Sequence, residues 1–307
     1  MLSRPILWGE PLRALRPLLA VSMLSICLLW PVSRAHALGA DIGDFAAPMP
    51  GHDLMALYMI NSKNDDMYKN SQIIDNRAKL DVTTTILRYA HPTEVGNGMI
   101  INPSLVLTHQ NMTPDNVAGL DHTSGMGDPF IGMPFWLLVD RAKREYLTIG
   151  PWLYLPLGEY DHKDFLNPGE NRWKAVLQLG YQRGLGQHFD LDLLLEADFY
   201  GKNDAYGPDK LTRRQRPWYE AKGGLTYLFN DKGASQLGAG LYFDYGGETE
   251  IDGQQQGDQI RSRGFYVQGS TMLTQGDQLM VGLFRDLEVE NGFKMSQQLR
   301  LRYLHVF

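Results

Sequence analysis

Residues 171–200 read NRWKAVLQLGYQRGLGQHFDLDLLLEADFY. Alternate positions in the first half are Trp173, Ala175, Leu177, Leu179 and Tyr181, and in the second Phe189, Leu191, Leu193, Leu195, Ala197 and Phe199. Between them stand Arg172, Lys174, Gln178 and Gln182, then His188, Asp190, Asp192, Glu196 and Asp198. A strand turns successive side chains to opposite faces, so the pattern predicts a hairpin with one apolar and one charged face. The link from Arg183 to Gln187 holds Gly184 and Gly186, suited to a tight turn. Each apolar row begins and ends on an aromatic residue and is mostly aliphatic between. Aromatic rings settle at both water–lipid boundaries, so this order points to strands that cross a bilayer.

The rest of the chain fits that reading. It has 307 residues and a formal charge of -6, with no block of like charge, so nucleic acid is not an expected partner. Mean hydropathy is slightly negative at -0.29. Transmembrane barrels share this value because half of every strand is polar. At the start, Arg4, Arg13 and Arg16 precede a mostly apolar run from Leu18 to Trp30, followed by Ala35-His36-Ala37. This predicts a signal peptide over 1–37 with cleavage after Ala37; an uncleaved anchor is the alternative, for which the run is short. Cys27, the single cysteine, lies within this leader and follows Ile26 rather than a small residue, which argues against a lipoprotein. A mature chain without cysteine excludes disulfides and thiol catalysis.

After an irregular lead-in over 38–52, twelve strands are predicted. They fall near 53–62, 79–91, 98–109, 128–139, 144–157, 171–183, 187–200, 215–229, 235–246, 262–274, 277–290 and 296–307. Odd-numbered links are long and polar (62–78, 111–127, 158–170, 201–214, 247–261) and even-numbered links are short. Bacterial barrels place short turns in the periplasm and long loops outside. The expected fold is therefore an all-β, antiparallel transmembrane β-barrel of about twelve strands over 53–307, with both termini periplasmic. Pro103, Pro129, Pro134 and Pro151 predict bulges or shifted boundaries, since proline donates nothing to a ladder. The last strand alternates Leu299, Leu301, Tyr303, His305 and Phe307 against Arg300 and Arg302. Its terminal Phe307 is the expected signal to the barrel-assembly machinery of a Gram-negative outer membrane.

Gly127-Asp128-Pro129, then Pro156-Leu157-Gly158-Glu159-Tyr160-Asp161, then Asn167-Pro168-Gly169-Glu170-Asn171-Arg172-Trp173 resemble the outer-membrane family named for the meta-cleavage pathway of phenol degradation. The resemblance covers most of the mature chain and is most specific over 127–200. It implies a transporter-like β-barrel from bacteria that often degrade aromatic compounds, with no agreed catalytic site.

Lipid cannot solvate Asp190, Asp192, Glu196 and Asp198, so they are expected to face the lumen with Arg172, Lys174, Glu220, Lys222, Arg300 and Arg302. These ten side chains either fill the interior as a network of ion pairs or sort solutes in a narrow pore. Twelve strands spaced at about 4.8 Å and tilted by about 40° enclose a backbone radius of about 12 Å, which leaves a passage for small solutes only if nothing, such as the lead-in over 38–52 or a folded-in loop, plugs it. Arg172 and Lys174 are expected to pair with Asp198 and Glu196. Loop residues Asp161, His162, Asp164, Asn167, Glu170, Asn203, Asp204 and Asp209 read as solvated and acidic, without the spacing of a calcium loop. The expected function is passage of small solutes, aromatic or other organic compounds among them, with no cofactor and no chemistry. A closed structural or interaction barrel is the alternative. A lipid-facing hydrolase comes third, with His305, His109, His122, Ser104 and Ser124 as its only candidates.

Overall fold

The computed structural model describes residues 39–96, 98–230 and 234–307. The predicted leader and its cleavage site after Ala37 lie outside the described residues. The chain forms β1 (Leu54–Lys69), β2 (Gln72–Ala90), β3 (Thr93–Val95), β4 (Met99–Ile101), β5 (Ser104–Asp115), β6 (Thr123–Met126), β7 (Phe130–Gly132), β8 (Phe135–Asp140), β9 (Glu145–Tyr154) and β10 (Lys174–Leu185). It continues with β11 (Phe189–Tyr200), β12 (Asn203–Tyr206), β13 (Leu211–Gln215), β14 (Trp218–Leu228), β15 (Ser235–Gly246), β16 (Thr249–Ile251), β17 (Gln254–Gln255), β18 (Ile260–Met272), β19 (Asp277–Val289) and β20 (Gly292–Val306).

Neighbours in sequence pair antiparallel, and β20 returns to pair with β1, Leu54 opposite Val306. The result is a closed barrel of twelve staves. In nine of them one strand forms the stave, while β2 with β3, β4 with β5, and β6 and β7 with β8 make up the other three. The hairpin expected over residues 171–200 is β10–β11, with Leu179 opposite Leu195 and Leu185 opposite Phe189. Its turn lies two residues later than expected, because Gly186 takes the left-handed backbone at φ 71° that a tight turn requires.

The prolines act together. His91, Asn102 and Met133 each precede a proline, and each donates its N–H to the carbonyl of Pro103, Pro134 and Pro151 respectively, at 3.1, 2.9 and 3.1 Å. The proline nitrogens themselves donate nothing, so the ladder breaks along one line across adjacent staves and resumes in the short pieces β3, β4 and β8. The expected bulges or shifted boundaries take the form of breaks that are in register across adjacent staves.

Several predicted loops contain strand. The link 62–78 is mostly ladder, because β1 and β2 continue pairing to a two-residue turn at Asn70 and Ser71, both at positive φ. Links 201–214 and 247–261 supply β12, β13, β16 and β17, a separate four-stranded sheet. The barrel thus has a loop end, carrying this sheet, and a terminal end, where Asp53 and Phe307 meet through the Phe307 N–H.

Its outer wall is apolar: Leu177, Leu195, Leu225, Leu241 and Leu301 are all exposed. A water-facing wall with so many exposed leucines would aggregate, whereas lipid solvates it. Exposed Trp173, Phe199, Tyr219 and Tyr245 ring the loop end; Phe189, Tyr227, Phe229 and Tyr303 ring the other. The interior mixes apolar clusters, such as Phe130 stacked on Tyr154 at 4.1 Å, with buried charge.

Candidate functional site: a plugged lumen with a loop-end cavity

The lead-in before β1 does not trail away from the barrel. Residues 39–48 fold into the terminal half of the lumen. Asp41, 3% exposed, accepts from Arg300 Nη1 at 2.6 Å and Gln268 Nε2 at 2.6 Å. Arg302 Nη1 lies 2.6 Å from Asp44 and 3.6 Å from Asp41. Lys222 Nζ donates to the Ala40 carbonyl at 2.5 Å and Arg300 to that of Gly39 at 3.0 Å. Apolar contacts complete the seat: Ile42 packs against Tyr242, Tyr266 and Phe284, and Phe45 against Leu194. Trp136 Nε1 donates to the Phe45 carbonyl at 2.8 Å, and Arg141 to those of Ala47 and Pro48.

Two residues in the opening hairpin make this possible. Leu194 interrupts the acidic row between Asp192 and Glu196, and Gly180 stands opposite it on β10. A Cβ on Gly180 would lie 2.2 Å from two ring carbons of Phe45. A small residue and a leucine on an otherwise polar face form an apolar socket for one aromatic ring. The interruption is visible in the sequence; its partner is not.

Above the plug lie two cavities. The deeper holds about 60 Å³ and is lined by Gly39, Ser62, Thr84, Glu220, Lys222 and Arg300. The larger, about 160 Å³, opens at the loop end and is lined by Gln110, Asp128, Tyr154, Phe165, Glu170, Arg172, Lys174, Asp198, Tyr200, Tyr206 and Arg213 among others. Asn64 lines both, so they adjoin, and the lower one ends on Gly39 of the plug.

All ten expected lumen residues point into the barrel interior or its mouth, in three groups. At the loop end, Arg172 donates to Glu170 and to Gln215 and lies 4.5 Å over the Tyr200 ring. Lys174 sits 3.8 Å from Glu170, 3.9 Å from Asp198 and 3.8 Å over Tyr154. The expected Lys174–Asp198 pair is present, but the carboxylate partner of Arg172 is Glu170, two residues away, rather than Glu196. Glu196 takes the Gln178 amide at 2.6 Å and stands opposite Glu220 in the ladder. In the second group, Lys222, Arg300 and Arg302 hold the plug. In the third, Asp190 is fixed by Arg144 at 2.8 Å and Asp192 by Thr226 at 2.9 Å.

Asp128 and Glu170 are not among the ten expected lumen residues, and the sequence around Glu170 predicts a solvated loop. Instead the loop 158–170 folds inward onto Asp128, whose two oxygens accept the N–H groups of Gly158 at 2.9 Å and Glu170 at 2.8 Å. A Cβ on Gly169 would lie 2.9 Å from Gly158 backbone, so the motif glycines allow backbone to pack on backbone there. Burial alone would raise the Glu170 pKa; the charges of Arg172 and Lys174 outweigh it and bring the group down to about 2. Arg213, on β13, is held below the usual guanidinium value by burial and then by neighbouring Arg172. Asn203 is buried too, donating to Tyr160 and to the Glu170 carbonyl, whereas Asp164, Asp204 and Asp209 are exposed as expected.

Of the hydrolase candidates, His109 and Ser124 are exposed on the paired strands β5 and β6, Ser124 opposite Asn111, and His122 precedes β6, whereas His305 and Ser104 lie elsewhere. His305 is held by Asp277 at 2.7 Å together with the Tyr303 hydroxyl, and buried Ser104 donates to the Asn102 carbonyl.

Residues 56–302 match the family described as "Putative MetA-pathway of phenol degradation". No curated protein matches the chain. Among solved structures, an outer membrane channel from Pseudomonas putida F1 is 33% identical, with a TM-score of 0.84 over 88% of this chain and 100% of that one. The translocator domain of the autotransporter NalP from Neisseria meningitidis is 12% identical, with a TM-score of 0.50 over 86% of this chain and 90% of that one, a likeness of fold alone. By the family match and the Pseudomonas relative, whose whole length it spans, the chain belongs to this phenol-degradation family of outer-membrane β-barrels.

Proposed function

We propose that the chain is an outer-membrane channel for small solutes, closed at rest by its own N-terminal segment. The observation that carries this reading is the stack of two adjoining cavities, lined by charged, polar and apolar side chains together, that runs from the loop end and stops on Gly39. A barrel built only as a wall would fill that space with side chains. The similarity to the Pseudomonas channel supports it. On this reading the terminal end faces the periplasm, the leader is removed after Ala37, and the exposed Phe307 serves the assembly machinery. Loop-end charges meet the solute; Asp190 and Asp192, already engaged by Arg144 and Thr226, are scaffold. The barrel does no chemistry and needs no cofactor.

The plug also favours a second reading, a permanently closed barrel, because Asp41 is buried between two arginines. Planar-bilayer recording separates the two. Asp41→Asn leaves Arg300 and Arg302 without their shared charge, and breaking a buried pair this way costs about 3 kcal/mol or more. Wild-type protein is expected to give brief openings, and Asp41→Asn long ones. If both stay silent and pass no small solute, the barrel is closed and the channel reading falls.

A further inference from the structure

The loop-end cavity holds one guanidinium, that of Arg213, that none of its carboxylates pairs with directly. Asp128 spends both oxygens on backbone N–H groups, and Glu170 faces Arg172 and Lys174. Asp198 Oδ2 shares Lys174 and takes the Tyr200 hydroxyl, while its Oδ1 is shut in the wall. Arg172 commits Nε and Nη2 to Glu170 and Gln215, and its Nη1 is shut in the wall with no partner. Arg213 lines the cavity without a hydrogen bond or ion pair among the described residues, its guanidinium 5.2 Å over the Tyr206 ring. Two like charges side by side, one of them without a directly paired carboxylate, favour a bound anion.

The surroundings of Arg213 are aromatic. Phe165 meets Tyr206 edge-on at 5.9 Å, and Tyr200 and Tyr154 stand on the wall behind. The cavity volume of about 160 Å³ compares with about 150 Å³ for a protein cavity known to accept benzene, so one ring fits. We propose that this cavity binds a small aromatic carboxylate, its carboxylate on Arg213 in the field of Arg172 and its ring among Phe165, Tyr200 and Tyr206. The proposal rests on the channel reading and names the class of solute that the channel selects.

Calorimetric titration of the purified, folded barrel with benzoate, benzyl alcohol and acetate tests it. Benzoate is expected to bind about tenfold tighter than either, since only it offers both ring and charge. Arg213→Gln should bring benzoate to the level of benzyl alcohol and leave benzyl alcohol unchanged; heat-modifiable migration reports that the variant folds. If it does not fold, the comparison of the three ligands on wild-type protein decides. Equal binding of benzoate and benzyl alcohol, no benzoate binding, or an Arg213→Gln variant that still prefers benzoate overturns the proposal. Bilayer conductance in plain potassium chloride is read separately. A conducting barrel indifferent to benzoate defeats this site alone, and a benzoate-binding barrel that never conducts defeats the channel reading alone.

Discussion

Glu170 is the residue whose surroundings differ most from its sequence context. It lies in an acidic, glycine-rich loop, yet it anchors Arg172 and Lys174 at the mouth of the lumen. Its pKa of about 2, against an ordinary 4.5, fixes a pH window. A depressed carboxylate stabilises the folded loop fully above its unfolded value and loses that contribution as pH falls through the folded one. Protection of the 158–172 amides, taken relative to their intrinsic exchange at each pH, should therefore be flat from neutral pH down to about 4.5 and fall steadily toward 2. Glu170→Gln should exchange faster at neutral pH by several-fold and show no further acid step. An unchanged acid step in that variant would assign the transition elsewhere. Little of this was legible beforehand, because a loop's direction is set by what it packs on, here Asp128, thirty residues or more away in sequence.

The elements were more readable than their ends. Period-two alternation located all twelve staves, since a strand with lipid on one side and water or charge on the other can show no other pattern. Boundaries failed where polar sequence kept pairing, as in β1–β2 beyond Ser62, because outside the membrane a ladder needs no apolar face. The plug failed for a different reason. Its sequence, rich in glycine, proline and aspartate, reads as irregular, and irregular it is; only Gly180 and Leu194 on the facing strands reveal that it has a seat. That seat can be closed without touching the plug. Gly180→Val would put its Cβ into the Phe45 ring while leaving the β9–β10–β11 ladder intact. Phe45→Ala empties the same socket, which costs about 3 kcal/mol of docking energy, or about a hundredfold in the docked population. Both variants should open the barrel in bilayers to a similar level. A Gly180→Val barrel that conducts no more than wild type would mean that Phe45 does not hold the plug in place.

At the scale of the whole molecule, the asymmetry of the barrel is what gives it a direction in the membrane. One end carries the four-stranded sheet, the inward-folded loop and the aromatic cavity; the other carries the start of β1, the end of β20, the short turns and the plug. Solutes captured at the first and released past the second would enter the cell only if the loop end faces outward, and the alternation of link lengths argues for that orientation. The sequence offers a clean way to measure it, because its single cysteine is Cys27, inside the predicted leader, so an introduced thiol in the mature barrel has no rival. Asp209→Cys places one on an exposed part of the sheet loop, and Gln187→Cys places one on the exposed β10–β11 turn. In intact cells a membrane-impermeant maleimide should label the first and spare the second, while both label after lysis. Labelling of Gln187→Cys in intact cells with protection of Asp209→Cys would invert the barrel. The loop-end cavity would then open to the periplasm, and the route would run outward.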